Sequence, residues 1–359
     1  MDTLSPSPET VPTFRNGGRH AGGAERRTDS TSRAAAAQLY AALDLGTNNC
    51  RLLIARPRWE GFRVVDAFSR IVRLGEGLSA TGRLSESAIS RSVEALKICR
   101  DKILARGVSR ARLIATEACR TAINGEEFRA RVREEAGLDL EIIDRATEAR
   151  LAATGCAPLA DPRSDGVILF DIGGGSSELV WCERAKDGFN GEPRIRSWMS
   201  LPVGVVTLAE RHGGMSVDGT VFEAMVRDVE HLLADFPERE ELAKVTRNMH
   251  MLGTSGTVTT LAGVHLGLPR YERRRVDGTW MSDADVEVVM QRLRGMSYDE
   301  RVASPCIGRE RADLVLAGCA ILEAFRRAFP CTRLRVADRG LREGILIELM
   351  RADGAWQGR

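Results

Sequence analysis

The stretch ALDLGTNNCRLLIA at positions 42–55 decides how this chain is read. An apolar run from Leu39 to Leu43 ends at Asp44, Gly46, Thr47 and Asn48 follow, and Leu52, Leu53 and Ile54 resume the apolar pattern. Short apolar runs split by a glycine-containing turn predict strand, turn, strand. A second stretch, ILFDIGGGSSELV at 168–180, repeats the plan: Asp171 closes an apolar run, and Gly173, Gly174, Gly175 and Ser176 follow. Leu179 stands eight positions after Asp171, as Leu52 stands eight after Asp44. Recurrence of one such unit predicts two related α/β domains, each opening on a β-hairpin.

The rest of the chain fits this division. Val64 to Val72 continues as strand. Ser85 to Ala105 reads as an amphipathic helix, with Ser85 as its N-cap and Gly107 beyond its end. Strands are predicted at Leu113–Ala115 and Leu140–Ile143, a helix from Glu148 to Gly155, and a connection over 157–166. A total of 359 residues exceeds one typical core. The expected domains are 36–146, joined by the C-terminal segment 326–351, and 147–325. Residues 1–35 are rich in Ser, Pro, Gly, Thr and Arg and predict a disordered tail.

Composition excludes several classes. Lys and Arg number 52 against 50 Asp and Glu, a balance that does not select a nucleic-acid partner. No run of 18 apolar residues marks a membrane span, and the N-terminus has no apolar signal core. The eight cysteines form no C-x-x-C pair and lack zinc spacing, which fits reduced thiols in a cytoplasmic protein.

Glycine-rich turns expose backbone N–H groups, which bind phosphate oxygens when several converge. Two turns facing each other across a cleft would clamp a phosphate chain, and Asp44 and Asp171 beside them would suit Mg²⁺ held partly through water. Gly253, Thr254, Ser255 and Gly256, at a strand-to-helix passage, offer further N–H groups to an anion. Tight helix–strand packing is the alternative reading there.

These motifs resemble the Ppx/GppA family of exopolyphosphatases and guanosine pentaphosphate phosphohydrolases, within the actin, sugar kinase and Hsp70 superfamily. RIVRLGEGL (70–78), ATEACRTAIN (115–124), IIDRATEARL (142–151), LPVGVVTLAE (201–210), MLGTSGTVTTLAG (251–263), ERADLVLAGCAIL (310–322) and LRVADRGLREGIL (334–346) extend the match from residue 39 to about 350. The resemblance implies a two-domain, actin-like (ribonuclease H-like) fold with an interdomain cleft. It implies Glu148 and Glu178 as catalytic glutamates. It places phosphate on Asp44, Gly46, Thr47, Asn48, Arg120, Gly173, Gly174, Gly175, Ser176, Gly253, Ser255, Gly256 and Arg311. Mg²⁺, or Mn²⁺ in its place, falls to Asp44, Asp171 and Glu178. Asp338, in VADRGLREG, reads either as part of the site or as the cap of a helix returning to the first domain.

The chain departs from the family at Asn49, where a serine is common, and at Thr147, just before Glu148. It ends soon after Leu349, and none of its five histidines precedes an aspartate, so the HD-type domain of longer members is expected to be absent. The implied substrate is inorganic polyphosphate or guanosine pentaphosphate. A kinase of the same superfamily and a non-enzymatic phosphate or alarmone sensor are the other readings. A homodimer is an allowed arrangement. Arg270, Arg273, Arg274 and Arg275 read either as a solvated loop or as a track for a polyanion.

Overall fold

The computed structural model describes residues 38–59, 61–184 and 193–356; the N-terminal segment read as a tail lies outside them. The first sheet is built from β1 (Tyr40–Leu45), β2 (Asn49–Pro57), β3 (Phe62–Ile71), β4 (Arg110–Ala115) and β5 (Glu141–Ile142), in the order β3-β2-β1-β4-β5. β1, β2 and β3 form an antiparallel meander, while β4 lies parallel to β1. The second sheet repeats the plan with β6 (Gly166–Ile172), β7 (Ser177–Glu183), β8 (Arg194–Leu201), β9 (Met249–Thr254), β10 (Trp280–Ser282) and β11 (Arg333–Val336), in the order β10-β11-β9-β6-β7-β8. Here β6, β7 and β8 are the meander and β9 lies parallel to β6. The repeat read from the two glycine-rich stretches is therefore a repeat of sheet topology. Both hairpin turns, 46–48 and 173–176, lie at the same end of their sheets.

Helix α1 (Glu86–Ala105) begins where the sequence places it, with the Ser85 hydroxyl accepting from the Ala88 N–H. It packs Ala88, Val93, Leu96 and Cys99 on the first sheet. α2 (Glu117–Thr121) follows β4, and α3 (Arg145–Cys156) leads into the second domain, capped by Asp144 accepting from the Thr147 N–H. The C-terminal segment divides. β11 pairs in parallel with β9 and belongs to the second sheet, because Leu334 and Val336 fill the second core. Only α4 (Leu341–Ala352) rejoins the first domain, burying Ile345, Leu346 and Met350 against Tyr40, Ala42, Leu53 and Ile114. Asp338 does not cap this helix. The Glu343 carboxylate accepts from the Gly340 N–H at 2.9 Å, while Asp338 accepts from the Tyr271 hydroxyl.

α3 and α4 cross almost backbone to backbone. A Cβ on Gly155 would stand 2.0 Å from the Gly340 carbonyl oxygen, and one on Gly344 would stand 2.0 Å from the Leu151 oxygen. Gly344→Ala is expected to destabilise the protein by about 2 kcal/mol or more, because overpacking outweighs the gain of about 1 kcal/mol in helix propensity. Denaturant unfolding of the variant measures this.

His250 on β9 is fully buried. Its ring lies 5.0 Å from that of Trp280, and its Nε2 accepts from the Asp161 N–H at 3.5 Å. Burial, then the Arg333 guanidinium, pushes its pKa down to about 4, with Asp161 opposing and Arg335 adding to the shift. A depressed histidine leaves the proton to the unfolded chain, so stability is full above about pH 6.5 and is lost as pH falls towards 4. The loss should approach about 3 kcal/mol. Melting curves from pH 7 to pH 4 should show a steeper slope for the wild type than for His250→Gln.

Candidate active site

The hairpin ends and the N-terminus of α5 (Ser255–His265) open into one interdomain cleft of about 730 Å³. Asp44, Gly46, Thr47 and Asn48 line one wall. Asp171, Gly173, Gly174, Gly175, Ser176, Glu178, Ser255, Gly256 and Arg311 line the other, and Glu148 reaches in from the first turn of α3. Asp44 and Asp171 thus share the cleft, as expected. Gly253 does not: a Cβ there would meet the Phe170 ring at 2.4 Å, so this glycine serves tight packing of β9.

The loops approach each other closely. A Cβ on Gly174 would meet the Thr47 Cβ at 3.0 Å, and one on Gly175 would meet the Thr47 hydroxyl at 2.7 Å. These glycines therefore admit the opposite wall as well as presenting N–H groups. Gly173 and Gly174 also give their carbonyls to the N–H groups of Val205 and Val206 at 2.9 and 2.8 Å, which anchors the second loop. Ser255 holds φ at 79°, a left-handed conformation that is uncommon outside glycine, and its side chain lies close enough to Asp171 to lower the pKa of that acid.

Carboxylates dominate the inner cleft. Antiparallel register sets Glu178 directly across from Asp171. Burial, then the Asp171 charge, raises the Glu178 pKa, although the Ser200 hydroxyl donates to it at 2.9 Å. Burial, then Glu178, raises Glu148 in turn. Asp44 and Asp171 are raised chiefly by burial. Four acids, Glu178 buried and Asp44, Asp171 and Glu148 half-buried, with too little positive charge around them suit a hard cation. Among the described residues no three His, Cys, Asp or Glu side chains form a ready metal cage. The donor set therefore fits an ion such as Mg²⁺ that takes one or two carboxylates and completes its shell with water and phosphate oxygens.

Arg120 differs from its sequence reading. It is not among the cleft-lining residues, and its guanidinium is occupied by protein acceptors. Nε donates to Glu117 at 3.1 Å, one terminal nitrogen to the Ile143 carbonyl at 2.6 Å, and the other to Glu148 at 3.0 Å and to Glu117. Arg120 orients Glu148 instead of facing the cleft. Glu117, unremarked in the sequence, is buried in the lining and is also held by Arg145 at 2.8 Å. Arg51 and Arg342 were missed too. Arg51 had a signal: it stands seven residues after Asp44, as Glu178 stands seven after Asp171, and pairs across the hairpin with Asp44. Of the basic run, Arg273 lines the cleft but donates to Glu343 at 2.8 Å, and Arg270, Arg274 and Arg275 are not in the lining.

The walls are pinned at the mouth by the loop after β3. Arg73, at φ 47°, pairs with both oxygens of Asp313 at 3.1 and 3.2 Å and donates to the Glu310 carbonyl at 3.3 Å. Glu210 accepts from the Gly77 N–H and the Ser79 hydroxyl, each at 2.9 Å. In the same loop, the Gly75 N–H donates to the Thr47 carbonyl at 2.9 Å.

Two repeated α/β domains that close glycine-rich loops and buried carboxylates into one cleft define the class. The sequence model of the Ppx/GppA phosphatase family matches residues 53–353, and the chain belongs to that family, whose members are phosphoanhydride hydrolases. It is 31% identical over 328 residues to Exopolyphosphatase 2 of Mycobacterium tuberculosis, covering 86% of this chain and 98% of that protein. It is 27% identical to the guanosine-5'-triphosphate,3'-diphosphate pyrophosphatase of Photobacterium profundum, covering 87% of this chain but 59% of that longer protein. The crystal structure of the Aquifex aeolicus Ppx/GppA family member superposes with a TM-score of 0.71 at 30% identity, over 88% of this chain and 98% of that one. A Cytophaga hutchinsonii exopolyphosphatase at 24% identity shares the fold, with a TM-score of 0.78 over 88% of this chain and 98% of that one. Among the described residues no helix is long and apolar enough to cross a membrane.

Arg120→Ala would leave the half-buried Glu148 without its ion-pair partner, while Glu117 keeps Arg145. The expected cost is about 1–3 kcal/mol of stability. Arg120→Lys keeps the charge but loses the fork, so it should recover melting temperature while kcat stays at least about tenfold low.

Proposed function

We propose that this chain is an exopolyphosphatase, releasing terminal orthophosphate from inorganic polyphosphate. The observation that carries this reading is the chemistry of the cleft lining. Five arginines in it, Arg51, Arg70, Arg309, Arg311 and Arg342, have no ion-pair partner among the described residues. Among the described residues Tyr271 is the single lining aromatic, and its hydroxyl donates to Asp338. Such a wall suits a ligand that is phosphate along its length. The second reading, removal of the 5′ γ-phosphate of guanosine pentaphosphate, is favoured by the relative named a guanosine-5'-triphosphate,3'-diphosphate pyrophosphatase.

In this mechanism the N–H groups of Thr47, Asn48, Gly174, Gly175 and Ser176 hold the terminal phosphate, with Ser255 and Gly256 beside them, while those of Gly46 and Gly173 close their turns on the Asn49 and Ser176 carbonyls at 2.9 and 3.0 Å. Glu148 is the base. Burial and the neighbouring Glu178 charge raise its proton affinity, and Arg120 fixes its carboxylate. Water attacks the terminal phosphorus in line, and its proton passes to Glu148. The phosphoanhydride P–O bond breaks, and the shortened chain leaves as an anion. Arg311 and Arg342 offset charge on the transferred group. Asp44, Asp171 and Glu178 would hold Mg²⁺ or Mn²⁺, which when bound neutralises phosphate charge.

Phosphate release from polyphosphate and from guanosine pentaphosphate, assayed side by side with Mg²⁺, tests the reading; release from neither ends it. Glu148→Gln should lose about 10²–10⁴-fold in kcat while still binding polyphosphate. An intact kcat with a raised KM would make Glu148 a binding group. EDTA-treated enzyme should regain turnover on adding Mg²⁺ or Mn²⁺.

A further inference from the structure

The unpaired arginines of the cleft divide by depth and by wall. Arg273 is neutralised by Glu343 and Arg339 by Asp277. Arg51, Arg311 and Arg342 are half-buried beside the inner loops. Arg311 lies near Gly256, and Arg51 and Arg342 lie close enough to Asp44 to lower its pKa. Arg70 and Arg309 are exposed, on opposite walls. Arg70 is on β3 of the first domain, paired across the strands with Cys50. Arg309 is on the 305–311 loop of the second.

One contact sets these two arginines at the same end. Arg73, three residues beyond Arg70, donates to the Glu310 carbonyl, one residue beyond Arg309. The pin that joins the walls therefore brings both arginines to the mouth. Of the two acids beside them, Asp313 is engaged by Arg73 and Glu310 remains in the lining. Neither Arg70 nor Arg309 donates a side-chain hydrogen bond to the described protein, although most surface arginines around them do. Arg70 rests over the Phe68 ring at 5.4 Å, which leaves its N–H groups free. Two cations left without an anionic partner across an opening suit an anion passing between them.

We propose that Arg70 and Arg309 form a clasp at the cleft mouth for phosphates beyond those held at the inner loops, and that this clasp sets preference for long chains. The proposal rests on the polyphosphate reading and names the part of the site that selects chain length. Phosphates at the inner loops reach Arg311 and Arg342 in a short substrate as in a long one. Only a longer chain extends out to the exposed pair.

The test compares wild type, Arg70→Gln, Arg309→Gln and the double variant on tripolyphosphate and on a long-chain polyphosphate. It also measures equilibrium binding of the long chain by each in a Glu148→Gln background. The ratio of kcat/KM for long chain over tripolyphosphate should fall about tenfold in the double variant and by part of that in each single. The loss should come through KM, with weaker long-chain binding and a flatter dependence on salt. Arg274→Gln with Arg275→Gln, outside the lining, is the control and should leave the ratio in place. Equal losses on both substrates, or unchanged long-chain binding, would overturn the clasp. A wild type that binds long polyphosphate but cleaves only guanosine pentaphosphate would overturn the polyphosphatase reading, and the binding arm would still judge the clasp.

Discussion

Negative charge forced into a shared, poorly solvated space is the constraint on which this architecture turns. Asp44 and Asp171 end equivalent strands of two sheets, Glu178 sits across from Asp171, and Glu148 enters from the connecting helix. Burial raises the proton affinity of all four. Alone, such a cluster opposes folding. It persists because each acid has a local support: Arg51 and Arg342 near Asp44, Ser255 near Asp171, Ser200 on Glu178, and Arg120 on Glu148. The remaining charge deficit is the chemical reason the cleft suits a cation and a phosphate chain together.

Sequence reading reached the fold because its strongest signals were local. The two Asp-to-Gly turns, the apolar runs before them and the Ser85 cap are each legible within ten residues or so, and topology followed from their repetition. It reached most of the cleft for the same reason, since Asp44 to Asn48 and Asp171 to Glu178 are contiguous. What it missed depends on distance. Arg120 looks like a phosphate ligand in its motif, but its direction is set by Glu117, Ile143 and Glu148, which lie on three elements. Gly253 belongs to a glycine-rich string whose other members line the cleft, and only the Phe170 ring beside it shows its packing role. The division of 326–351 between domains was hidden because β11 is four residues long and the helix after it carries the stronger apolar pattern.

Glycine serves a different physical need at each junction. In the turns it admits Thr47 to the opposite loop, and at the helix crossing it lets α3 and α4 meet at backbone distance. Both junctions join the domains, one at the floor of the cleft and one beside the chain's return. The Arg73 pin adds a third connection at the mouth. The cleft is thus bounded by contacts of unequal kind: close packing below, and a half-buried ion pair above.

The return of α4 to the first sheet carries a consequence for how the molecule is made. β1 is covered by Ile345, Leu346 and Met350, and Tyr40 donates to Asp353 at 2.9 Å. The domain synthesised first therefore waits for the last helix before its apolar face is sealed, with the second domain emerging in between. At about 5–20 residues per second on the ribosome, that face stands open for tens of seconds, roughly. During that interval the nascent first domain presents a sticky, half-finished surface.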